Sequence, residues 1–219
     1  MKKLQVPYVS TQDTPAALAL VSTFLDLNKS ESIEITPWKK YNYKPIVRFS
    51  IAHSGNSILI KYYVAEKDAK AVYTKVNEPV YRDSCVEFFI AFQDDESYYN
   101  FEFNNNGVCL AGYGKGRENR KMLSAEIINQ IKCLKMAPQP VQDQNYYWEL
   151  CLVFPVTVFS YHQLTDISGK SFKGNFYKCG DDLAEPHFLV WNNIISKEPD
   201  FHLPEFFGTL TFDSTSIEN

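Results

Sequence analysis

The sequence lacks the long apolar runs and the concentrated basic charge that identify several common protein classes. No run approaches the roughly 18 apolar residues that a membrane-spanning helix requires. The formal net charge is −4, which argues against nucleic acid or an anionic membrane as the main partner. The basic cluster from Lys115 to Lys121 is short, and we interpret it as a solvated loop.

Paired metal-ligand and phosphate-binding spacings are also missing. The five cysteines, at positions 85, 109, 133, 151 and 179, include no C-x-x-C pair, and the four histidines have no close spacing. An odd, dispersed set of cysteines favours free thiols in a reducing compartment. No glycine-rich loop joins a strand to a helix. The start, "MKKLQVPYVSTQDT", has no apolar signal core, so we expect a cytoplasmic protein, or a periplasmic or secreted one if a signal was removed.

Many short segments rich in β-branched and aromatic residues are present instead, and turn residues separate them. The strands predicted from this pattern are 33–35, 46–53, 57–66, 84–92, 98–104, 108–114, 131–137, 146–155, 171–179, 188–191 and 208–212. The period of residues 14–28 predicts a helix with Thr14 as its cap and Pro15 at its first position. Short helical turns are expected at 124–131, with Ser124 as the cap, and at 157–164.

This arrangement predicts an all-β fold, an antiparallel β-sandwich of two sheets of the jelly-roll or immunoglobulin-like type. The N-terminal helix and the short helical turns complete it. No internal repeat and no shift in composition divides the chain, so residues 1–219 are predicted to form one domain.

Polar residues of an unusual kind occur on one face of the two strands 84–92 and 98–104. One face of the predicted hairpin is wholly apolar, whereas the other carries Cys85, Glu87, Phe89, Ala91, Tyr98, Asn100, Glu102 and Asn104. If the apolar faces of the two strands lie on the same side of the sheet, Glu87 is opposite either Glu102 or Asn104. Carboxylates and amides beside aromatic rings suit the hydroxyls and C–H faces of a sugar. The pattern alone leaves a sugar site and an ordinary solvent face equally open.

Four segments, in this order, resemble the family 9 carbohydrate-binding modules, which lie within the DOMON-like superfamily. They are "VYRDSCVEFFI" (80–90), "YYNFEFN" (98–104), "YYWELCLVFP" (146–155) and "EFFGTLTF" (205–212). The segments "GNFYKCGDD" and "HFLVWN" resemble a variant found in Bacteroidetes proteins of this type. The resemblance covers about residues 30–213. It implies a β-sandwich that binds sugars, typically the ends of glucan or xylan chains, between two aromatic rings.

Carried onto this sequence, the resemblance implies which residues bind the sugar. Tyr81 and Trp191 match the two flanking rings, and Tyr81 replaces the usual Trp with a smaller stacking area. Glu87 matches the sugar-binding glutamate, and Asp83 belongs to the same motif. We expect Asn100, Glu102 and Asn104 to bond the sugar hydroxyls and Arg82 to lie at the rim of the site. No cofactor is required; a structural calcium ion, as in members attached to xylanases, is a further expectation without mapped ligands.

The predicted function is therefore non-catalytic recognition of mono- or oligosaccharides or glycan ends in polysaccharide utilisation. An alternative is a xylanase-like glycoside hydrolase with Glu87 and Glu102 as its two carboxylates. Directly opposed residues on a sheet usually lie too close for that arrangement. A third alternative is a DOMON-type heme or other ligand-binding module, which would need an axial His or Met. No nucleic acid or membrane partner is expected, and the oligomeric state is not predicted.

Overall fold

A computed structural model describes residues 1–10, 15–92, 95–142 and 145–214 of the chain. Thirteen strands and two helices are assigned within these ranges. The helices are α1 (Pro15–Leu27) and α2 (Ala125–Ile128). The strands are β1 (Lys3–Val6), β2 (Glu31–Ser32), β3 (Ile46–His53), β4 (Ser57–Glu66), β5 (Cys85–Ala91), β6 (Tyr98–Asn104), β7 (Cys109–Gly114), β8 (Lys121–Met122), β9 (Lys132–Pro140), β10 (Tyr146–Pro155), β11 (Ser171–Cys179), β12 (Phe188–Val190) and β13 (Gly208–Phe212).

The strands form two sheets, as predicted. The larger sheet has the order β1-β13-β11-β5-β6-β7-β8, with β12 paired to β11, and the smaller has the order β2-β3-β4-β10-β9. Neighbouring strands are antiparallel apart from β1 and β13, which are parallel. The predicted antiparallel β-sandwich is therefore confirmed, with one parallel pair that the sequence pattern did not indicate.

Most predicted elements coincide with the observed ones, and the differences occur in short segments. Strand β1 and the two-residue strand β8 were not predicted, because each is too short to show an alternating pattern. The strand expected at 33–35 is observed at Glu31–Ser32, and Ile35 forms only an isolated bridge with Val190. The Ser124 hydroxyl caps α2 as predicted. Thr14, the predicted cap of α1, lies outside the described residues.

The core between the two sheets is built by the inward-facing residues of both. The ring centroids of Phe88 and Phe154 lie 5.7 Å apart, and Phe49 stacks on Phe176 with ring centroids 3.8 Å apart. Trp148 is fully buried in this core, as the parity of its strand predicted. No helix among the described residues is long and apolar enough to cross a membrane.

The outer face of β5 and β6 is covered as well, which positions the site. Every residue of both strands is buried. Phe89 and Tyr98 belong to a second apolar cluster, to which Trp38 and Phe201 are contributed from outside the sheet. This face is therefore not an ordinary solvent face, and its polar residues have partners other than bulk water.

Candidate functional site: a covered polar face with one cavity

A cavity of about 540 Å³ lies over this covered face. It is lined by residues of the larger sheet and of the segments that cover it: Tyr41, Tyr81, Glu87, Asn100, Leu110, Arg117, Arg120, Met122, Cys179, Asp181, Phe188, Pro199, Asp200, Phe201 and His202. The volume falls within the range of small-molecule sites, and the lining combines aromatic rings with a few polar groups. The cavity is the candidate functional site.

Two buried carboxyl groups lie at the sheet side of the site. Glu87 on β5 is the direct cross-strand partner of Glu102 on β6, which is one of the two predicted registers. Burial raises the pKa of Glu87 well above its ordinary value, and the neighbouring Glu102 raises it further. Burial also raises the pKa of Glu102 to about 7, although its hydrogen bond with Asn100 acts in the opposite direction. Two adjacent buried carboxyl groups therefore retain a proton near neutral pH.

Asn100 connects this carboxyl pair to a partly buried arginine. Its amide Nδ2 donates to Glu102 Oε1 at 2.9 Å, and its Oδ1 accepts from Arg120 Nε at 2.8 Å. The guanidinium of Arg120 also donates to the backbone carbonyls of Tyr98 and Gly116, each at 2.8 Å, and lies over the Tyr98 ring at 4.4 Å. Arg120 thus ties the loop after β7 to the polar face and fixes which way the Asn100 amide points.

Aromatic rings form the covering side of the cavity. Tyr41 meets Phe188 edge to face at 4.8 Å, and Phe201 stacks on Tyr177 at 4.2 Å with an interplanar angle of 8°. Tyr81 is contributed by the 3₁₀ turn Val80–Arg82 that leads into β5. These contacts fix ring orientations before any ligand is present, which lowers the entropic cost of a stacking contact.

Loop residues add an acid and a neutral imidazole. Burial raises the pKa of Asp181 to about 6, and Arg117 acts against this effect. His202 Nδ1 lies 2.9 Å from the Tyr98 hydroxyl. Burial lowers the pKa of His202 to about 3, with further lowering by Arg120 and Arg117. His202 is therefore uncharged at neutral pH, and with Nδ1 engaged by the Tyr98 hydroxyl its Nε2 is the ring nitrogen left for a ligand.

The predicted site residues are only partly brought together. Tyr81, Glu87 and Asn100 line the cavity, and Glu102 lies behind Asn100 with its Oε2 atom lacking a hydrogen-bond partner among the described residues. Arg82, expected at the rim, is half-exposed and lies 3.9 Å from Asp182 without lining the cavity.

Asp83 and Asn104 have structural partners that leave them little to offer a ligand. Asp83 accepts from the backbone N–H groups of Val72 and Tyr73 at 3.0 and 3.1 Å, and from Asn104 Nδ2 at 2.9 Å. Asn104 Oδ1 accepts from the Val108 N–H at 3.1 Å. The two side chains hold the neighbouring loops against the sheet, so neither contacts the cavity.

Trp191 lies elsewhere than the sequence predicted. The ring is fully buried between the sheets, where it meets Phe49 and Phe176 edge to face at 6.2 and 5.7 Å. A Cβ atom on Gly208 would come within 2.5 Å of it, so Gly208 provides the space the ring occupies. A ring without accessible surface cannot stack on a ligand, and Trp191 is a core residue in this structure.

Several lining residues were missed by the sequence reasoning. The basic cluster 115–121 was interpreted as a solvated loop, yet it brings Arg117 and Arg120 to the cavity. Asp200 and His202 come from a loop whose sequence shows no period and no motif, and Asp181 lies in the segment "GNFYKCGDD", where the resemblance assigned it no role. Only the fold, which lays these loops over β5 and β6, places them together.

The described residues do not contain a side-chain cluster that fits the expected calcium ion. Within them, one group of three potential metal ligands has its ligand atoms within 4.8 Å of one another: Cys85, Glu87 and Cys179. Calcium takes oxygen ligands, and two of these three are thiols. The structural calcium ion stays a prediction from the resemblance.

A profile of the carbohydrate-binding family 9 matches residues 19–212. The chain belongs to this family. It is similar to a crystal structure from Bacteroides uniformis of a protein proposed to bind carbohydrate, with 40% identity, a TM-score of 0.88, and coverage of 97% of this chain and 99% of that one. A comparison with curated proteins finds no match.

Two more distant structures show the same fold. Both are family 9 modules from Caldicellulosiruptor kristjanssonii at 14% identity, one in complex with glucose and one with cellotriose. Their TM-scores are 0.58 and 0.59, and coverage is 100% and 99% of this chain and 99% and 96% of theirs. At this identity the likeness concerns the architecture, whereas the ligand contacts of this member depend on its own residues.

Proposed function

We propose that this family 9 member binds a mono- or oligosaccharide or a glycan end in the cavity and does not cleave it. One observation carries the proposal: the cavity joins the buried polar face of β5 and β6 to aromatic rings held above it. Sugar rings need this combination, because their hydroxyls pair with polar groups and their C–H faces stack on aromatic rings. The ligands of the two glucose- and cellotriose-bound relatives belong to the same chemical class.

The protonation of the site supports neutral sugars as ligands. Glu87 holds a proton near pH 7 and can donate as well as accept, and His202 is uncharged. Neutral groups such as Glu87, Asn100 and His202 match hydroxyl groups, each of which is also both donor and acceptor. Each contact contributes about 1 kcal/mol net. A single sugar unit is therefore expected to bind in the micromolar to millimolar range.

The hydrolase alternative has weaker geometric support. A glycosidase needs its two carboxyl groups on opposite sides of the scissile bond, about 5 to 9.5 Å apart. Glu87 and Glu102 are direct cross-strand partners on the same face, and Glu102 lies behind Asn100 outside the cavity lining. A sugar in the cavity would therefore contact Glu87 but not Glu102. Incubation with aryl glycosides is expected to release no aryl alcohol, and an absorbance scan without a Soret band would argue against a heme module.

Compartment and calcium remain predictions from the sequence. A cytoplasmic location would favour small soluble saccharides, and export would favour polysaccharide ends and a role in polysaccharide utilisation. Fractionation of the native organism separates these cases. For calcium, a melting temperature that falls with a chelator and recovers with added Ca²⁺ would support the prediction, and an unchanged melting temperature would count against it.

Calorimetric titration with glucose, xylose, cellobiose and xylobiose tests the proposed binding. Tyr81→Ala removes one lining ring, and Tyr146→Ala is the matched control because Tyr146 is an exposed ring on the other sheet. We expect the wild type and the control to bind alike and Tyr81→Ala to lose about threefold to tenfold in affinity, the contribution of one aromatic contact. Absence of heat with all four sugars, or equal loss in both variants, would contradict the proposal.

A further inference from the structure

Two cysteine thiols lie beside Glu87 at the floor of the cavity. Cys85 on β5 and Cys179 on β11 are direct cross-strand partners, and both are buried. The Cys179 thiol donates to Glu87 Oε1 at 3.0 Å. The two sulfur atoms and a carboxylate oxygen lie within 4.8 Å of one another. Saccharide binding gives no role to the two thiols, so their position needs a separate explanation.

The placement of this cluster leaves one side of it accessible. Glu87 and Cys179 line the cavity, while Cys85 stands behind them and does not. An ion held between the three atoms would have protein ligands on the sheet side and space for water on the cavity side. Zinc sites that keep a water ligand have three protein ligands and one open coordination position.

We propose that Cys85, Cys179 and Glu87 bind a thiophilic divalent cation, Zn²⁺ or a close analogue such as Cd²⁺, with the fourth position facing the cavity. Tetrahedral zinc with Zn–S bonds of about 2.3 Å holds two sulfur ligands about 3.8 Å apart. The three ligand atoms already lie within 4.8 Å of one another, so we expect side-chain rotation to bring them to such spacings. Thiolate ligands select soft cations over Ca²⁺ and Mg²⁺.

Binding of the cation exchanges it for protons. Burial raises the pKa of the Cys85 thiol to about 12 and that of Cys179 well above its usual value, so both thiols and the Glu87 carboxyl are protonated without metal. One M²⁺ then replaces up to three protons and leaves a site with a net charge of −1. Among the described charged groups, Lys178 favours the anionic form of the ligands, whereas Glu102 and Asp181 oppose it.

The test is a Cd²⁺ titration of the full chain, with the ultraviolet thiolate-to-cadmium charge-transfer band as the readout. Cys133→Ser is introduced throughout because Cys133 is an exposed thiol that would bind the metal by itself. A non-thiol reductant is present, and thiol counting under denaturing conditions verifies that the cysteines are reduced. We expect one equivalent of Cd²⁺ to give a two-thiolate band and Zn²⁺ to displace it.

Variants then locate the site. Cys85→Ser and Cys179→Ser should each halve the band and weaken affinity about tenfold or more. Glu87→Gln should weaken affinity while it keeps the full band, a result that loss of folding would not give. Cys151→Ser, at a buried cysteine of the smaller sheet, is the matched control and should bind as the parent does.

Two results would overturn the inference: no band with verified free thiols, or a band that survives the double Cys85→Ser, Cys179→Ser replacement. The readout is sulfur absorbance in the absence of sugar. A failure of metal binding can therefore be distinguished from a failure of saccharide binding.

Discussion

Glu87 faces Glu102 directly across β5 and β6, and both side chains are buried on the cavity side of the sheet. The pair has no lysine or arginine bonded to either carboxyl among the described residues; the partners are the Cys179 thiol and the Asn100 amide. Ionising both carboxyl groups in this buried environment is costly, so the folded protein retains at least one proton on the pair. Neutral carboxyl groups give a saccharide site a hydrogen-bond donor that a carboxylate lacks.

The first prediction concerns the pH dependence of stability. The unfolded chain releases the Glu102 proton near pH 4.5, whereas the folded chain holds it to about pH 7. Because the folded state holds the Glu102 proton between these values, the Glu102 contribution to the unfolding free energy should fall as pH rises from about 4.5 to about 7, by at most about 3 kcal/mol, whereas buried histidines such as His202, whose pKa is lowered, contribute with the opposite sign. Urea unfolding at several pH values measures it.

Glu102→Gln is the matched variant for this prediction. It keeps an oxygen that can accept from Asn100 and removes the titrating group. The Glu102 contribution should be absent from this variant, so its stability relative to the wild type should rise as pH increases from about 4.5 to about 7. An identical pH slope in the wild type and in Glu102→Gln would show that Glu102 does not retain its proton.

Arg120 provides the second prediction. Its planar guanidinium bonds Asn100 Oδ1 and the carbonyls of Tyr98 and Gly116 at once, which a lysine cannot do. Arg120→Lys should free the Asn100 amide and lower saccharide affinity about tenfold, or about 1.4 kcal/mol. Calorimetry measures this loss. Arg117→Lys, at an exposed cavity residue, should have a smaller effect, and the reverse order would contradict the assigned role.

The third prediction separates the two readings of Trp191. If the ring is a core residue, Trp191→Phe should lower the unfolding free energy by about 1–3 kcal/mol and leave saccharide affinity within about twofold. The replacement leaves part of the Trp191 space unfilled and removes the indole N–H that lies 3.4 Å from Glu31 Oε2. Unfolding and calorimetry are measured on the same preparation. Unchanged stability with lost affinity would restore the stacking role that the sequence implied.

The fourth prediction concerns a buried ion pair between the two sheets. Lys178 Nζ lies 2.9 Å from Glu66 Oε2, and both side chains have no exposed surface. Glu66 Oε1 also accepts from the Trp148 indole at 2.6 Å and from the Ser84 hydroxyl. Lys178→Met leaves the carboxylate without its cation and should cost about 3–5 kcal/mol of unfolding free energy.

A double-mutant cycle with Glu66→Gln checks the origin of that cost. The double variant Glu66→Gln, Lys178→Met should be more stable than the sum of the two single changes predicts, because it removes both charges together. Strict additivity would show that the pair is not coupled in the folded state.

The sequence predicted the strands well where both faces of a strand have distinct chemistry. In β5 and β6 the apolar set Val86, Phe88, Phe101 and Phe103 fixes the register to two choices, of which the structure has the one that pairs Glu87 with Glu102. Strand β8 was not predicted because two residues are too few to show a period. Its pairing with β7 depends on the loop that Arg120 holds.

The site was predicted less completely, and for a physical reason. Glu87 and Asn100 could be identified from the sequence because they are polar residues on a strand face that also carries aromatic residues. Both line the cavity. His202 and Asp181 come from irregular loops, whose path over the sheet is set by tertiary packing and not by local sequence. Trp191 was assigned to the ligand because it matches one of the two flanking rings of the family that the sequence resembles, although its neighbours Phe49 and Phe176 bury it.

The most direct test of the account is a crystal structure of the protein soaked with whichever of the four sugars binds most tightly. We expect a sugar ring in the cavity, with hydroxyls within hydrogen-bond distance of Glu87 and Asn100 and one face against an aromatic lining residue such as Tyr81. A sugar bound on another surface, with the cavity free of it, would contradict the central claim.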